Sequence, residues 1–368
     1  MARKRRVKGE GSVFFEEGKG LWVARITLPD GRRKSKSHKR QDIVRNWLLT
    51  ARSELRDGVL PKDDTTTFSQ FATNYMDTVA KPSLRPKTME SYSSLLRIHI
   101  IPAIGKVKLS QLRPNDLQTL YSKKLESGLS RRTVHYIHSI IHKILDQALK
   151  WGFVVRNVAD LVNAPTPGKR MLSVWNREEV NKFLDFARLY NPRFYLVYVL
   201  CIYGGFREGE VLGIHKSDVS PERATITVNH AVQYLIGKGV TITTPKTDSS
   251  RRSVKLPAFV MKLLKEKSDG LKENQLLFTT DSGKPINPRF LIKHFKDDLK
   301  SAGLPEIRFH DLRHTSATLL LSANVHPKVV QERLGHSSIT LTLDTYSSVL
   351  PDIQDEAVDK LDKYLTRP

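Results

Sequence analysis

The amino-acid sequence predicts a multidomain α+β protein, and three observations lead to this fold class. Short runs that alternate apolar and polar residues, separated by turns, occupy roughly the first forty positions. Patterns with the period of a helix dominate residues 68–162. From residue 172 onward, helical patterns surround one β-rich stretch. We therefore expect a small three-stranded β-sheet plus a helix in an N-terminal domain at 1–60, an all-α domain at 66–163, and a mixed, mainly-α domain with a small antiparallel sheet at 172–368.

The N-terminal domain is predicted from three strands and one helix. The runs SVFFE, LWVARITL and RRKSKS are separated by EGKG and PDG turns, and an amphipathic helix follows from about Gln41. The third strand is basic, and a narrow basic sheet fits the major groove of DNA. We expect DNA contacts from the basic residues of this strand and its turn, which are Arg32, Arg33, Lys34 and Lys36.

Four helices are predicted in the second domain. The second of them should stop near Pro102, and the third should begin with Asn115 as its N-cap. The fourth carries an apolar stripe that consists of Val134, Ile137, Ile141, Ile144, Leu145 and Ala148. A linker follows at 163–171, and its Lys169 and Arg170 are further candidate DNA contacts.

The third domain should open with a capping box, in which Asn176 is followed three residues later by Glu179. A buried helix then ends at Gly204-Gly205, and a second helix opens at Arg207, where backbone N–H groups favour an anion. A β-rich stretch with turns at GKG and KTDSS comes next, followed by helices. The last of these is a short amphipathic tail helix, which we expect to pack either on its own domain or on a neighbouring protomer.

The charge of the chain favours a polyanionic partner. Lys and Arg number 61 against 38 Asp and Glu, which gives a net charge of +23, and such an excess indicates nucleic acid more often than a merely solvated basic surface. The single cysteine, Cys201, excludes an intramolecular disulfide and a thiolate zinc cluster, and it fits a reducing cytoplasm. No run of eighteen apolar residues and no signal-peptide pattern occurs, so we expect a cytoplasmic protein without a membrane span.

The segment RFHDLRHT resembles a zinc-binding pattern, and a metal site there has to be weighed against a phosphate-binding role. His310 and His314 are four residues apart, as in H-E-x-x-H, but Asp311 stands where that pattern has Glu. Arg313 between them opposes a cation, whereas a guanidinium matches the oxygens of a phosphodiester. Another histidine set, which consists of His138, His142 and Asp146, has metal-ligand spacing but lies among basic residues. We expect no metal site at either place.

Five short segments resemble the motifs of the tyrosine recombinase family, of the phage-integrase type. They are GGFREGE, TPKTDSSRRSVKLP, HDLRHT, LGHSS and DTY, in this order along the chain. The resemblance implies an arm-site-binding domain at 1–60, a helical core-binding domain at 66–163 and a catalytic domain at 172–368. It also implies that Tyr346 attacks a DNA phosphodiester to form a 3′-phosphotyrosine, that Lys246 protonates the leaving 5′-oxygen, and that His310 assists proton transfer.

The resemblance further implies that Arg207 and Arg313 hold the non-bridging phosphate oxygens, that His336 hydrogen-bonds the scissile phosphate, and that Glu210 supports the site. Tyr346 lies ten positions after His336, where many members of the family have nine, so the local path to the tyrosine is the one departure from the pattern. His314 matches a position without a catalytic role.

The expected protein is a site-specific recombinase that integrates or excises a phage or other mobile element. Its implied partners are double-stranded DNA with core and arm sites, a homotetramer on that DNA, an excision or directionality factor and a host DNA-bending protein. No phosphate-binding G-x-x-x-x-G-K-[ST] loop occurs and no cofactor is expected. Two alternatives stay open: a type IB topoisomerase-like enzyme with the same chemistry, and a non-catalytic DNA-binding regulator on the same scaffold.

Overall fold

The structure, a computed structural model, is helix-rich with small antiparallel sheets. It describes residues 11–27, 33–56, 65–168, 173–244, 251–336, 338–340, 362 and 365. The chain divides into two compact units, residues 1–169 and 170–368.

The first unit begins with the expected three-stranded sheet. Strands β1 (Ser12–Glu16), β2 (Leu21–Thr27) and β3 (Arg33–His38) are antiparallel and lie in the order β1-β2-β3. Helix α1 (Gln41–Arg56) covers one face of this sheet, because Ala24 and Ile26 of β2 pack against its apolar side. The predicted strands and helix are thus confirmed.

The rest of the first unit consists of helices around a separate apolar core. Its longest helix, α7, shows the predicted apolar stripe with every member buried. The helices in this region are α2 (Phe68–Tyr75), α3 (Lys81–Ser83), α4 (Pro86–Leu95), α5 (Ile101–Ile104), α6 (Pro114–Glu126) and α7 (Arg131–Lys150).

One predicted boundary in this region is confirmed and another is wrong. The second helix ends at Ile104, close to the predicted stop near Pro102, after a π-helical turn over Leu96–Ile100 carries it into α5. In that turn the N–H of Ile101 donates to the carbonyl of Leu96, and this wider spacing accommodates the proline that would break a regular α-helix. The N-cap of α6 is Arg113 rather than Asn115; Pro114 takes the first helical position, and the Asp116 carboxylate accepts the Arg113 N–H at 2.9 Å.

The second unit packs helices and short strands around one large apolar core. Helix α8 opens with the predicted capping box between Asn176 and Glu179. The helices are α8 (Arg177–Tyr190), α9 (Pro192–Gly204), α10 (Glu208–Leu212), α11 (Ala258–Ser268), α12 (Pro288–Ala302), α13 (Asp311–Ser322) and α14 (Pro327–Leu334). The strands are β4 (Val219–Ser220), β5 (Thr225–Thr227), β6 (Ala231–Leu235), β7 (Gly239–Thr243) and β8 (Ser253–Lys255).

The strands form two small sheets, β4-β5-β8 and the hairpin β6-β7. The GKG turn joins β6 to β7 as predicted, whereas the KTDSS turn lies outside the described residues. No helix in the described part of the chain has the length and the continuous apolar character that crossing a lipid bilayer requires.

Candidate active site

Arg313 is the buried centre of the candidate site. It lies on α13 with 2% of its surface exposed. One guanidinium nitrogen donates to the carbonyl of Gly205 at 2.6 Å and the other to the carbonyl of Leu334 at 2.5 Å. Gly205 ends the turn before Arg207, and Leu334 closes the helix before His336. One arginine therefore draws together two segments that are far apart in sequence, and each of them carries a predicted site residue.

Close packing at Gly205 reinforces this junction. Its φ of +64° lies in the left-handed region, and a Cβ there would stand 2.6 Å from the Leu334 side chain. A larger residue would push the end of α14 away from the turn before Arg207. The predicted Gly-Gly break is therefore required both for the turn and for the approach of α14.

A carboxylate between two arginines holds Arg207 in place. Arg207 is the N-cap of α10, and its side chain and backbone N–H both donate to Glu210. Arg252 donates to the same carboxylate at 2.9 Å and is 6% exposed. Burial by itself raises the pKa of the Glu210 carboxyl, but Arg252 and Arg207 outweigh it, and the pKa falls to about 2.

This arrangement changes one expectation about α10. The predicted anion site at its start relied on backbone N–H groups, but the N–H of Arg207 donates to Glu210. The Arg207 side chain is 35% exposed, so its guanidinium is the group that a phosphate can reach. Glu210 stays ionised at neutral pH and holds this guanidinium in its orientation.

Burial and the charges of Arg207 and Arg313 lower the pKa of two histidines, His310 and His336. Desolvation, followed by the charges of His314, Arg313 and Arg207, lowers the pKa of His310 to about 4, although part of His310 is exposed. Desolvation, followed by the charges of Arg313 and Arg207, likewise lowers the pKa of His336 to about 4. Both imidazoles are neutral at pH 7, so each offers one nitrogen that accepts a hydrogen bond or a proton.

The HDLRH segment is organised around Asp311. Arg308 donates to the Asp311 carboxylate at 3.0 and 2.6 Å through two side-chain nitrogens, and this pairing lowers the pKa of Asp311 against the opposing effect of burial. Helix α13 begins at Asp311, so His310 lies just before the helix and not on its face as expected. The Asp311 carboxylate therefore binds Arg308. The rings of His310 and His314 lie 5.0 Å apart.

Two predicted catalytic residues lie outside the described residues. Lys246 falls in the segment 245–250 between β7 and β8, and Tyr346 falls in 341–361. Their roles, like the tail helix, remain predictions. The structure brings together Arg207, Glu210, His310, Arg313 and His336.

The basic residues of the N-terminal sheet divide between its two faces. Register pairs Lys34 with Ile26 and Lys36 with Ala24, which places both lysines on the side covered by α1. Arg33 pairs with Thr27 and lies on the opposite face, as does Arg25, which the sequence analysis missed. The Arg25 guanidinium stands 5.2 Å from the centre of the Phe14 ring. Arg32, Lys169 and Arg170 lie outside the described residues.

The histidines of α7 have partners other than a metal. His142 contacts the Asp160 carboxylate at 2.7 Å, and His138 contacts the Tyr121 hydroxyl at 3.0 Å. Asp146 pairs with Lys150 at 2.8 Å. The two histidine contacts link α7 to neighbouring helical segments, whereas the Asp146–Lys150 pair lies within α7.

Arg252 is the site residue that the sequence analysis did not assign. Besides binding Glu210, it donates to the carbonyl of Arg333 at 2.6 Å and lies 5.7 Å from the centre of the Phe206 ring. In the sequence it stands inside the segment TPKTDSSRRSVKLP, next to Arg251 and directly before strand β8. Many basic pairs stand beside strands, so only the fold identifies its partner.

Comparison with known proteins assigns the family. The sequence profile of the phage integrase family matches residues 174–352, and the profile of the phage integrase N-terminal SAM-like domain matches residues 67–125. An integrase of Saccharopolyspora erythraea is 24% identical and the match covers 98% of both chains. The ICEBs1 integrase of Bacillus subtilis strain 168 is 29% identical over 76% of this chain and 79% of its own. The chain belongs to the phage integrase family and is a tyrosine site-specific recombinase.

Solved structures share the fold. The integrase of the Tn1549 transposon, solved with a circular intermediate DNA, has a TM-score of 0.70 and 21% identity, and the match covers 80% of this chain and 99% of that one. A lambda integrase dimer bound to a COC′ core site has a TM-score of 0.59 and 18% identity over 94% of this chain and 96% of its own. At these identities the likeness concerns the fold.

Proposed function

We propose that the protein cleaves and rejoins DNA strands through a 3′-phosphotyrosine, with Tyr346 as the nucleophile. The observation that carries this proposal is the buried guanidinium of Arg313, which draws the segments of Arg207 and His336 to one point. Two guanidinium groups and two neutral imidazoles suit a phosphodiester that gains negative charge in the transition state.

Each residue has a distinct part in this chemistry. The Tyr346 oxygen attacks the scissile phosphorus and gives its proton to the neutral imidazole of His310. The bond between phosphorus and the 5′-oxygen breaks, and Lys246 protonates that oxygen. Arg207 and Arg313 stabilise the non-bridging oxygens, and His336 hydrogen-bonds the phosphate. Rejoining is the reverse sequence with a different 5′-hydroxyl, so the energy of the broken bond is retained in the tyrosyl ester.

The division of labour among the domains belongs to the same proposal. Residues 66–163 and 172–368 would hold a core site, and residues 1–60 would hold an arm site. The outward face of the N-terminal sheet offers Arg25 and Arg33 to DNA, while the exposed Lys36 and its neighbour Lys34 lie at the edge strand. Lys169 and Arg170 would contact DNA from the linker. A homotetramer would form on paired core sites, and a lambda integrase tetramer bound to a Holliday junction shares this fold with a TM-score of 0.59.

The biological reaction that fits best is integration or excision of a mobile element. Relatives named as integrases support this proposal, among them one encoded by Mycobacterium phage D29 that is 23% identical over 71% of this chain. An excision or directionality factor and a host DNA-bending protein would be its accessory partners.

A nicked suicide substrate tests the assignment of the nucleophile. The wild-type protein should form a covalent protein–DNA adduct, because the short fragment beyond the nick diffuses away and prevents rejoining. Tyr346→Phe should bind the same DNA with unchanged affinity and form no adduct, because only the hydroxyl is lost. Tyr190→Phe is a suitable control, since that exposed tyrosine is remote in sequence from the motifs, and it should react like the wild type. An adduct with Tyr346→Phe would disprove the assignment.

A further inference from the structure

Two histidines and an aspartate converge in the second unit at a place that the catalytic chemistry does not use. His215 follows the end of α10, Asp218 precedes β4, and His230 precedes β6. One ligand atom from each residue lies within 4.8 Å of the others, and within the described residues this is the group of three that could hold a metal ion. No sequence motif pointed to these three residues, and no metal site was expected.

The geometry favours a shared ion over direct hydrogen bonds. The Asp218 carboxylate oxygen Oδ2 lies 3.6 Å from Nδ1 of His215 and 3.8 Å from Nδ1 of His230. Both distances exceed a hydrogen bond, but two ligands of one tetrahedral Zn²⁺ stand about 3.3 Å apart when each bond is about 2.0–2.1 Å. Shifts of about 0.3 and 0.5 Å towards Oδ2 would bring the two nitrogens to that separation from the oxygen.

The two imidazole nitrogens lack other partners. Among the described residues, Nδ1 of His215 and Nδ1 of His230 are buried and accept or donate no hydrogen bond. The rings lie 4.4 Å apart at 60°, so both nitrogens stand near the same carboxylate. A buried polar atom without a partner is destabilising, and one ion would satisfy both nitrogens at once.

The carboxylate is already oriented for this purpose. Asn229 donates to Oδ1 of Asp218 at 2.7 Å, and the backbone N–H of His215 donates to Oδ2 at 2.8 Å. The Asp218 side chain is 3% exposed, whereas that of His230 is 37% exposed. A fixed, hydrogen-bonded carboxylate is typical of metal ligands, and the exposed edge at His230 leaves room for a water as the fourth ligand.

We propose that His215, Asp218 and His230 bind one Zn²⁺ ion with a structural role. Two imidazoles and one carboxylate suit Zn²⁺ better than Mg²⁺ or Ca²⁺, which prefer oxygen ligands. The ion would fasten the turn after α10 to the start of β6. These segments are already close, since a Cβ on Gly213 would stand 2.9 Å from the backbone of His230 and Ala231. It would thus join the helix that begins at Arg207 to the hairpin that leads towards Lys246.

Titration of the full-length protein with ZnCl₂ tests this site. The protein is first stripped with a chelator and exchanged into chelator-free buffer, and binding is followed by calorimetry. We expect one ion per chain, and a rise in the thermal midpoint of about 5 °C when free zinc reaches about 100 times its Kd. His230→Ala and His215→Ala should each weaken binding at least about 100-fold, because each removes a ligand.

The matched control is His142→Ala, which removes a histidine from the other histidine cluster, on α7. It should bind zinc like the wild type. His230 is partly exposed, so its alanine variant should fold, and an unchanged thermal midpoint in chelator would show this. Replacement of zinc by Co²⁺ adds a second measurement on the wild type, namely the visible absorption of a tetrahedral site. Stoichiometric binding that His230→Ala leaves intact, loss of binding in His142→Ala, or no binding at micromolar zinc would each overturn the proposal.

Discussion

Replacement of Glu210 by glutamine should destabilise the second unit and thereby test the electrostatic basis of the site. The substitution keeps the shape of the side chain and removes its charge. The Arg252 side chain, 6% exposed, then loses the carboxylate that compensates its buried charge, and Arg207 loses the group that orients it. The result should be a less stable domain and a misplaced guanidinium.

The size of the effect follows from the pKa of Glu210. A fall from the ordinary 4.5 to about 2 corresponds to about 3 kcal/mol of stability at pH 7. Loss of one partner from a buried ion pair gives a similar figure, about 3–5 kcal/mol. With a urea dependence of about 2 kcal/mol per molar, Glu210→Gln should lower the unfolding midpoint by about 1.5 M.

The pH dependence of this difference has a definite sign. Because the folded-state pKa is depressed, the stabilisation is complete above the unfolded value near 4.5 and is lost as the pH falls towards 2. The gap between the wild type and Glu210→Gln should therefore be full at pH 7 and should shrink to about 2 kcal/mol at pH 3.5.

Urea unfolding is best followed through one residue, since separate domains need not unfold together. Trp175 is 2% exposed and its indole N–H donates to the carbonyl of Pro305, so its NMR signal reports on the second unit.

The matched control is Glu332→Gln. The ion pair between Glu332 and Lys328 is exposed and should contribute about 0.5 kcal/mol or less. A loss below about 1 kcal/mol for Glu210→Gln, or a gap that does not change with pH, would refute the reasoning.

Three further predictions concern protonation, metal dependence and the N-terminal domain. NMR titration of the free protein should give pKa values near 4 for His310 and His336, and bound DNA should raise both because a phosphate favours the charged imidazole; a value near 6.5 without DNA would contradict the proposed neutral pair. Strand cleavage of a core site should persist in EDTA, because arginines rather than a metal stabilise the phosphate, and loss of cleavage that Mg²⁺ restores would count against that role. Deletion of residues 1–60 removes 16 Lys and Arg against 7 Asp and Glu. Filter binding over a range of salt concentrations should then show that arm-site binding is abolished and that the salt dependence of core-site binding is unchanged. Loss of core-site cleavage would contradict the separate roles of the domains.

Local patterns predicted several features that depend on neighbours in sequence. The capping box at Asn176 and the apolar stripe of α7 follow from spacings of three and four residues, and the N-terminal strands follow from alternation and turns. The break before Arg207 follows from two consecutive glycines. The order of the motifs was likewise enough to predict the family, which the comparison with known proteins confirmed.

Spacing alone misplaced the N-cap of α6. Pro114 takes the first helical position and the Asp116 carboxylate accepts the Arg113 N–H, so Arg113 caps this helix in place of Asn115. Lys34 and Arg33 are adjacent in sequence but lie on opposite faces of the sheet, because successive side chains of a strand alternate.

The composition of the site was decided by tertiary structure. Sequence alone predicted that Arg207, Arg313 and His336 act together, but only the fold shows how: the Arg313 guanidinium holds carbonyls from two distant segments. The partner of Arg252 and the cluster of His215, Asp218 and His230 could not be predicted from the sequence, because the residues involved are distant in sequence or belong to separate elements. Local periodicity determines helices and strands because their bonds are short-range, whereas a buried charge finds its partner only when the chain closes around it.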